Sequence, residues 1–354
     1  MKQHLNTLFV TTQGAYLRKE GEAVAVRVEK QTKLRVPLHM LGGICCFGRV
    51  GLSPQLMGRC AEAGVAISML TEHGRLLARV TGFTPGNVLL RRTQYQRADA
   101  VDLGPTNDDA APADCAAIVQ PIVIAKLLNS RAVLLRSVRD YPDAAGRPEL
   151  EQAARSLAGS VEQAQRVRDV DRLRGIEGEA AAIYFACFSH LITRKNGDWD
   201  FSGRNRRPPR DPVNALLSFL YTLLVHDARS ACEAAGLDSQ VGFLHRDRPG
   251  RPSLALDLME ELRAFLCDRL VVSLINRGQV QARTFRRTET GGVLMDDATR
   301  KVVMTAYQKR KQEELTHPFL NEKVSVGLLV HLQARLLARH LRGDLDAYPA
   351  FLWK

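Results

Sequence analysis

The sequence of 354 residues is 45% hydrophobic and 25% charged, an ordinary globular composition that excludes a disordered, collagen-like or low-complexity chain. Fifty Lys+Arg against thirty-eight Asp+Glu give a formal net charge of +12, which favours a polyanionic partner without choosing a fold. The length suits two domains with a real core.

Residues 1–92 carry thirteen Lys+Arg, five Glu and no Asp, so most of the excess is N-terminal. That asymmetry suits nucleic acid, an anionic membrane surface or an acidic protein. The first ten residues lack the apolar core and small-residue cleavage site of a signal peptide. The longest unbroken apolar run, Ala180–Phe188, is nine residues, about half of a membrane span. Seven cysteines (45, 46, 60, 115, 187, 232 and 267) contain no C-x-x-C spacing and read as small core residues. These features predict a soluble, cytoplasmic protein kept in a reducing compartment, away from membranes.

Short strands are expected at Asn6–Val10, Tyr16–Lys19, Ala23–Val28, Leu34–Leu38, Ile44–Phe47, Val65–Leu70 and Leu76–Val80, punctuated by glycines. This spacing predicts a small sandwich or hairpin stack. One helix interrupts it at Pro54–Ala63, with Ser53 as N-cap and Pro54 at the first helical position. The stretch Asp99–Asp114 is rich in Pro, Gly and acid and reads as a linker or surface loop, with a connecting helix near Leu89–Arg97. Beyond it, apolar spacings of three and four predict helices at Ala117–Arg139, Val161–Ile192, Pro212–Ala235, Ser253–Arg277, Ala298–Glu314 and Lys323–Leu341. The expected class is α+β: a small β-rich domain over 1–90, a linker over 91–116 and a larger all-α domain over 117–354.

Three segments could carry chemistry. In the first, Glu177 lies at the margin of a helical stripe and is bracketed by Gly175 and Gly178. Each glycine costs a helix interior about 1 kcal/mol relative to Ala, so a packing or backbone-approach reason is expected. The alternative is a carboxylate at the stripe margin that reaches water or pairs with Arg174. In the second, Gly242-Phe-Leu-His245 leads through the basic loop holding Arg246, Arg248 and Arg251 to a helix that Ser253 would cap. Asp257 and Glu260 lie about 60° apart on that helix, which is apolar around much of its circumference. Buried carboxylates are expensive unless paired or metal-bound, so one His with several acids suits Mg²⁺ or Mn²⁺. A loop histidine in a local hydrogen bond, with acids facing the arginines, fits equally well. In the third, Arg204, Arg206, Arg207 and Arg210 could grip phosphates or form a solvated loop. The run Lys309-Arg310-Lys311 reads as a solvated helix face.

Taken together, Gly175-Ile-Glu177-Gly178 with Tyr184-Phe185, Pro-Arg-Asp211-Pro-Val-Asn214-Ala-Leu-Leu-Ser218, and Gly242-Phe-Leu-His245 followed by Arg251-Pro-Ser-Leu-Ala-Leu-Asp257-Leu-Met-Glu260-Glu261-Leu-Arg263 resemble the CRISPR-associated integrase of spacer acquisition, the Cas-one family. The order and spacing of these segments cover essentially the whole chain. The resemblance implies one metal site per subunit, built from Glu177, His245 and Glu260, with Asp257 as supporting residue or alternative ligand. It implies Mg²⁺- or Mn²⁺-dependent cleavage of DNA and its joining by attack of a 3′-hydroxyl on a phosphodiester. It further implies a homodimer, duplex DNA as partner (spacer precursor and CRISPR repeat), and a small adaptation protein of the Cas-two family. A non-catalytic basic DNA-binding scaffold is the competing reading.

Overall fold

The computed structural model describes residues 6–72, 76–80, 82, 88–102, 112–194 and 199–353. Two compact units emerge: Met1–Gly86 with Met304–Glu314 and Ser325–Leu328, and Asn87–Val303 with Leu315–Val324 and Leu329–Lys354. The acidic stretch at 103–111 lies outside the described residues.

The first unit holds β1 (Asn6–Val10), β2 (Tyr16–Glu20), β3 (Ala23–Val28), β4 (Gln31–Pro37), β5 (Leu41–Phe47), β6 (Gly51–Leu52), α1 (Pro54–Glu62), β7 (Ala66–Leu70) and β8 (Leu76–Val80). They form two four-stranded sheets, in the orders β1-β5-β7-β8 and β4-β3-β2-β6. The first sheet is parallel from β1 through β7 and closes with an antiparallel β8. A cluster including Leu17, Val24, Ile44, Leu56, Cys60 and Ile67 draws residues from both sheets and α1. Ser53 caps α1 as expected, its hydroxyl accepting from the Leu56 amide at 3.2 Å. All seven cysteines are free thiols in buried positions. Burial pushes the Cys46 thiol up to about 12, so these are inert packing residues.

The second unit is mostly helical: α2 (Val88–Asp102), α3 (Pro112–Asp140), α4 (Arg147–Arg166), α5 (Val170–Ala186), α6 (Pro212–Ala234), α7 (Ser253–Leu262), a π-helical segment (Arg263–Asp268) and α8 (Arg269–Asn276). It continues through a short hairpin of β9 (Phe285–Arg287) and β10 (Val293–Met295), then α9 (Asp297–Gln312), whose residues from Met304 onward belong to the first unit. The pair β11 (Glu314–Thr316) and β12 (Lys323–Ser325) precedes α10 (Leu329–Leu341). The two hairpins are additions to the expected all-helical pattern, and Lys323–Ser325 is strand where helix was expected. Lys311 also departs from the expected solvated face: it is only 4% exposed and lies over the Tyr307 ring.

Helix α3 is the axis of this unit and packs against α4, α5 and α7. Residues Cys115–Asp140 are long and apolar enough to cross a membrane by length and composition. Their apolar side chains instead fill the core, with Ile118, Val119, Ile122, Val123 and Leu134 fully buried.

The expected single helix over Val161–Ile192 is two helices, α4 and α5, and the break has a tertiary cause. The Gln120 side-chain amide, projecting from α3, donates to the carbonyls of Ala164, Gln165 and Val167 at 2.8–3.0 Å. These are orphan acceptors at the end of α4, which would otherwise need water or a C-cap. Asp169 then starts α5 by accepting from the Arg172 amide at 2.7 Å. The break fixes the direction of α5 and so the position of Glu177. Replacing Gln120 by Leu strands buried acceptors and should destabilise the protein by about 1–3 kcal/mol, measurable as a lowered urea midpoint.

Candidate metal centre

Glu177 on α5, Glu260 on α7 and Lys126 on α3 meet where the three helices pack. The Lys126 ammonium contacts Glu177 Oε1 and lies 2.7 Å from Glu260 Oε2. Glu260 is 2% exposed. Its other oxygen, Oε1, accepts from Arg263 and stands 3.8 Å from His245 Nε2. Burial pushes the Glu260 carboxyl up, but the charges of Arg263, Lys126 and His245 outweigh it and hold the group well below the usual carboxylate range. Arg263 is correspondingly held above its ordinary value: burial acts against its charge, and Glu260 more than restores it. Glu260 is therefore ionised and stabilised by cations at neutral pH.

His245 is oriented from behind. Its Nδ1 lies 2.7 Å from Asp257 Oδ1, and that carboxylate also accepts the amides of Phe243, Leu244 and His245 at 2.6–3.0 Å. Asp257 is fully buried, and both of its oxygens are engaged by the turn it organises. With Nδ1 directed to a carboxylate, Nε2 is the ring nitrogen left toward Glu260, the arrangement that makes imidazole a metal ligand. Gly242 makes this turn possible: a Cβ there would meet Asp257 Oδ2 and Ser253 at 2.8 Å.

Ser253 does not cap α7. It is the first helical residue, and its hydroxyl donates to the Arg246 carbonyl, tying the basic loop to the helix. Nor does Arg174 pair with Glu177; it pairs with Asp171 and donates to the carbonyls of Phe243 and Leu244, bracing the histidine turn. Among the described residues a Cβ on Gly175 or Gly178 would meet nothing within 4 Å, so neither glycine has a packing reason there. The surface of α5 beside Glu177 is consequently bare.

The arginines divide into two groups. Arg204 turns inward: it donates to Asn214 and Ser218 and lies 5.3 Å from the Tyr221 ring centroid. Burial lowers its guanidinium to about 10. Asp211 caps α6 through the Asn214 amide and accepts from the side chains of Asn205 and Asn214, so the Asp211–Ser218 motif is a clamp for the basic loop. Arg246 makes two 2.9 Å contacts to Asp171. Arg206, Arg207, Arg210 and Arg248 are exposed. Burial first, and then the neighbouring charges of Arg248, Arg206 and Arg207, hold Arg251 below its ordinary value, against the pull of Asp257. The two basic loops thus lie side by side next to the histidine turn.

Among the described residues no three His, Cys, Asp or Glu side chains converge closely enough to coordinate an ion; Lys126 stands between the two glutamates. The donor set nonetheless fits a divalent cation. Two carboxylates and an imidazole supply two negative charges and mostly oxygen ligands, the chemistry of Mg²⁺ and Mn²⁺. Glu260 Oε2 is buried without an aligned hydrogen bond, and an ammonium already marks the place where positive charge is stabilised. Lys126 escaped the sequence reading. Its signal was its isolation, as the one charged residue between Asp114 and Arg131 on an otherwise apolar helix.

Comparison with known proteins gives the family of the chain. The family model described as CRISPR associated protein Cas1 matches residues 8–309. A relative from Chlorobaculum tepidum, CRISPR-associated endonuclease Cas1 1, is 54% identical over the full length of both chains. Among solved structures, a casposase bound to integration product superposes with a TM-score of 0.80 at 22% identity, over 99% of this chain and 94% of that one. A Cas6-RT-Cas1–Cas2 complex gives a TM-score of 0.78 at 23% identity, over all of this chain and 36% of that one. The whole-length identity and the family match together show that the chain belongs to the Cas1 family of CRISPR-associated proteins.

Proposed function

We propose that this protein is a divalent-metal-dependent DNA endonuclease and integrase that inserts short foreign DNA segments into a CRISPR array. The observation that carries the reading is the approach of Glu260 to His245 Nε2, at 3.8 Å, with Glu177 held to the same centre through Lys126. Glu177, His245 and Glu260 would hold Mg²⁺ or Mn²⁺. When bound, such an ion stabilises charge on the attacked phosphodiester and lowers the pKa of the attacking hydroxyl. The chain's own residues do the positioning. Asp257 fixes the imidazole, Arg263 steadies Glu260, and the bare face of α5 lets a DNA backbone come close to Glu177. Arg206, Arg207, Arg210, Arg248 and Arg251 hold phosphates alongside. A DNA 3′-oxygen then bonds to phosphorus as the target's own 3′-oxygen leaves with a proton; with water in place of the 3′-hydroxyl the outcome is cleavage.

The likeness to the Cas6-RT-Cas1–Cas2 complex supports a small partner of the Cas-two family. The family resemblance supports a homodimer as the working unit. The buried free thiols suit a cytoplasmic setting.

His245→Ala should abolish Mn²⁺-dependent cleavage and half-site integration while leaving duplex binding within a few-fold of wild type. Full activity in that variant, or strand transfer that persists in EDTA, would favour a different site; binding with no strand transfer by the wild type in any metal would favour the scaffold reading. Asp257→Asn should cost about 10–100-fold in metal affinity by releasing the imidazole, as read by Mn²⁺ titration. Replacing Arg206, Arg207 and Arg248 by Ala should flatten the salt dependence of DNA binding by about 0.9 in log–log slope for each phosphate no longer neutralised; an unchanged slope moves the DNA path elsewhere. Gly178→Ala should stabilise α5 by about 1 kcal/mol yet reduce integration, because the new methyl group stands where the backbone approaches. Equal activity would show that the DNA does not pass over this face.

A further inference from the structure

Lys126 has no place in the ligand set, yet it makes the most central contact in the site. Its ammonium touches Glu177 Oε1 and Glu260 Oε2, and its side chain is 13% exposed. The preceding turn of α3 and the next residue are apolar, with Ile122, Val123 and Leu127 fully buried or nearly so. Removing a cation from between two carboxylates, one of them 2% exposed, would leave like charges facing each other in a low-dielectric setting, which is strongly unfavourable. Arg263 already neutralises one oxygen of Glu260 and leaves the pairing of Glu177 to Lys126.

We propose that Lys126 is the resident counter-ion of the metal centre, so that a divalent cation enters by exchange with the ammonium rather than by filling an open site. This inference rests on the metal reading above. Lys126 has two consequences. It preserves the packing of α3, α5 and α7 before metal arrives, holding both carboxylates at the right spacing. It also sets metal affinity, because each binding event must displace an internal ion pair. The side chain already borders a small cavity lined also by Tyr184, Tyr221, Arg263 and Asp268. The design lowers affinity for the ion and prevents the two glutamates from repelling in its absence.

The test is Mn²⁺ titration, followed by electron paramagnetic resonance, on the full-length wild type, Lys126→Met and the double variant K126M/E177Q, with melting curves in EDTA and in Mn²⁺. The proposal expects K126M to melt below wild type in EDTA, to bind Mn²⁺ at least tenfold more tightly, and to gain more stability from Mn²⁺ than wild type does. It also expects E177Q, added to K126M, to recover part of the lost EDTA stability. Equal or weaker Mn²⁺ binding by K126M overturns the exchange, and so does a K126M that stays unfolded even with saturating Mn²⁺, since a replaceable counter-ion must be replaceable. If the wild type itself binds no Mn²⁺, the metal reading fails first, and that outcome is visible before any variant is compared.

Discussion

The constraint on which the site depends is the burial of a charged Glu260 at the packing of α3, α5 and α7. A carboxylate in such a setting survives only with cations and well-aligned donors around it. Arg263 and Lys126 supply the positive charge, from the π-helical segment and from α3, and His245 approaches from its turn. Glu177 is then tolerated at the same spot because Lys126 serves both acids. Every unusual feature nearby follows from holding this cluster in register: the clamp from Gln120 that ends α4, the glycine that admits the histidine turn, and the π-helical segment that begins at Arg263. Such segments are frequent at functional sites, where they redirect a side chain without ending a helix.

The neighbouring acid shows the opposite use of a buried carboxylate. Glu261 faces away from the site and accepts from Gln333, Tyr348 and the Phe351 amide. Burial pushes it up to about 7, against the pull of those hydrogen bonds. Asn129 completes this lock by bonding the carbonyls of Glu261 and Phe351 and the Trp353 amide. Consecutive glutamates on α7 thus divide the work: one offers its oxygens to the site, and the other ties α7 to α3, α10 and the C-terminal segment. The segment therefore contributes to the precision of Glu260 without touching it.

Much of this was legible in the sequence because it rests on local signals. The strands of the first unit follow alternation and glycine punctuation, Ser53 marks α1, and apolar spacing marks α6. Glu177, His245, Asp257 and Glu260 drew notice because acids and a histidine beside buried helical stripes demand a reason, and the family resemblance selected Glu177, His245 and Glu260 among them. What stayed hidden depends on residues far apart in the chain. The end of α4 at Arg166 depends on Gln120, some forty residues earlier, which takes up its last carbonyls, and the Asp169 cap of α5 alone did not reveal it. The choice between Asp257 and Glu260 could not be made from a helical wheel, since it depends on three amides of the Gly242–His245 turn. Arg204 read as one of four equivalent loop arginines until its guanidinium was seen bound to Asn214, Ser218 and Tyr221. Lys126 carried the faintest signal, one charge in the stretch of α3 between Asp114 and Arg131, and stands at the centre.

The central claim is that Glu177, His245 and Glu260 form a divalent-metal site in which the ion takes the place of the Lys126 ammonium. Anomalous diffraction from crystals equilibrated with Mn²⁺ addresses it most directly. The account predicts a single strong peak within coordination distance of Glu177, His245 Nε2 and Glu260, with Lys126 moved away from both carboxylates and Asp257 still bonded to His245 Nδ1. A peak at Asp257, or an unmoved Lys126 with no peak between the glutamates, would contradict it.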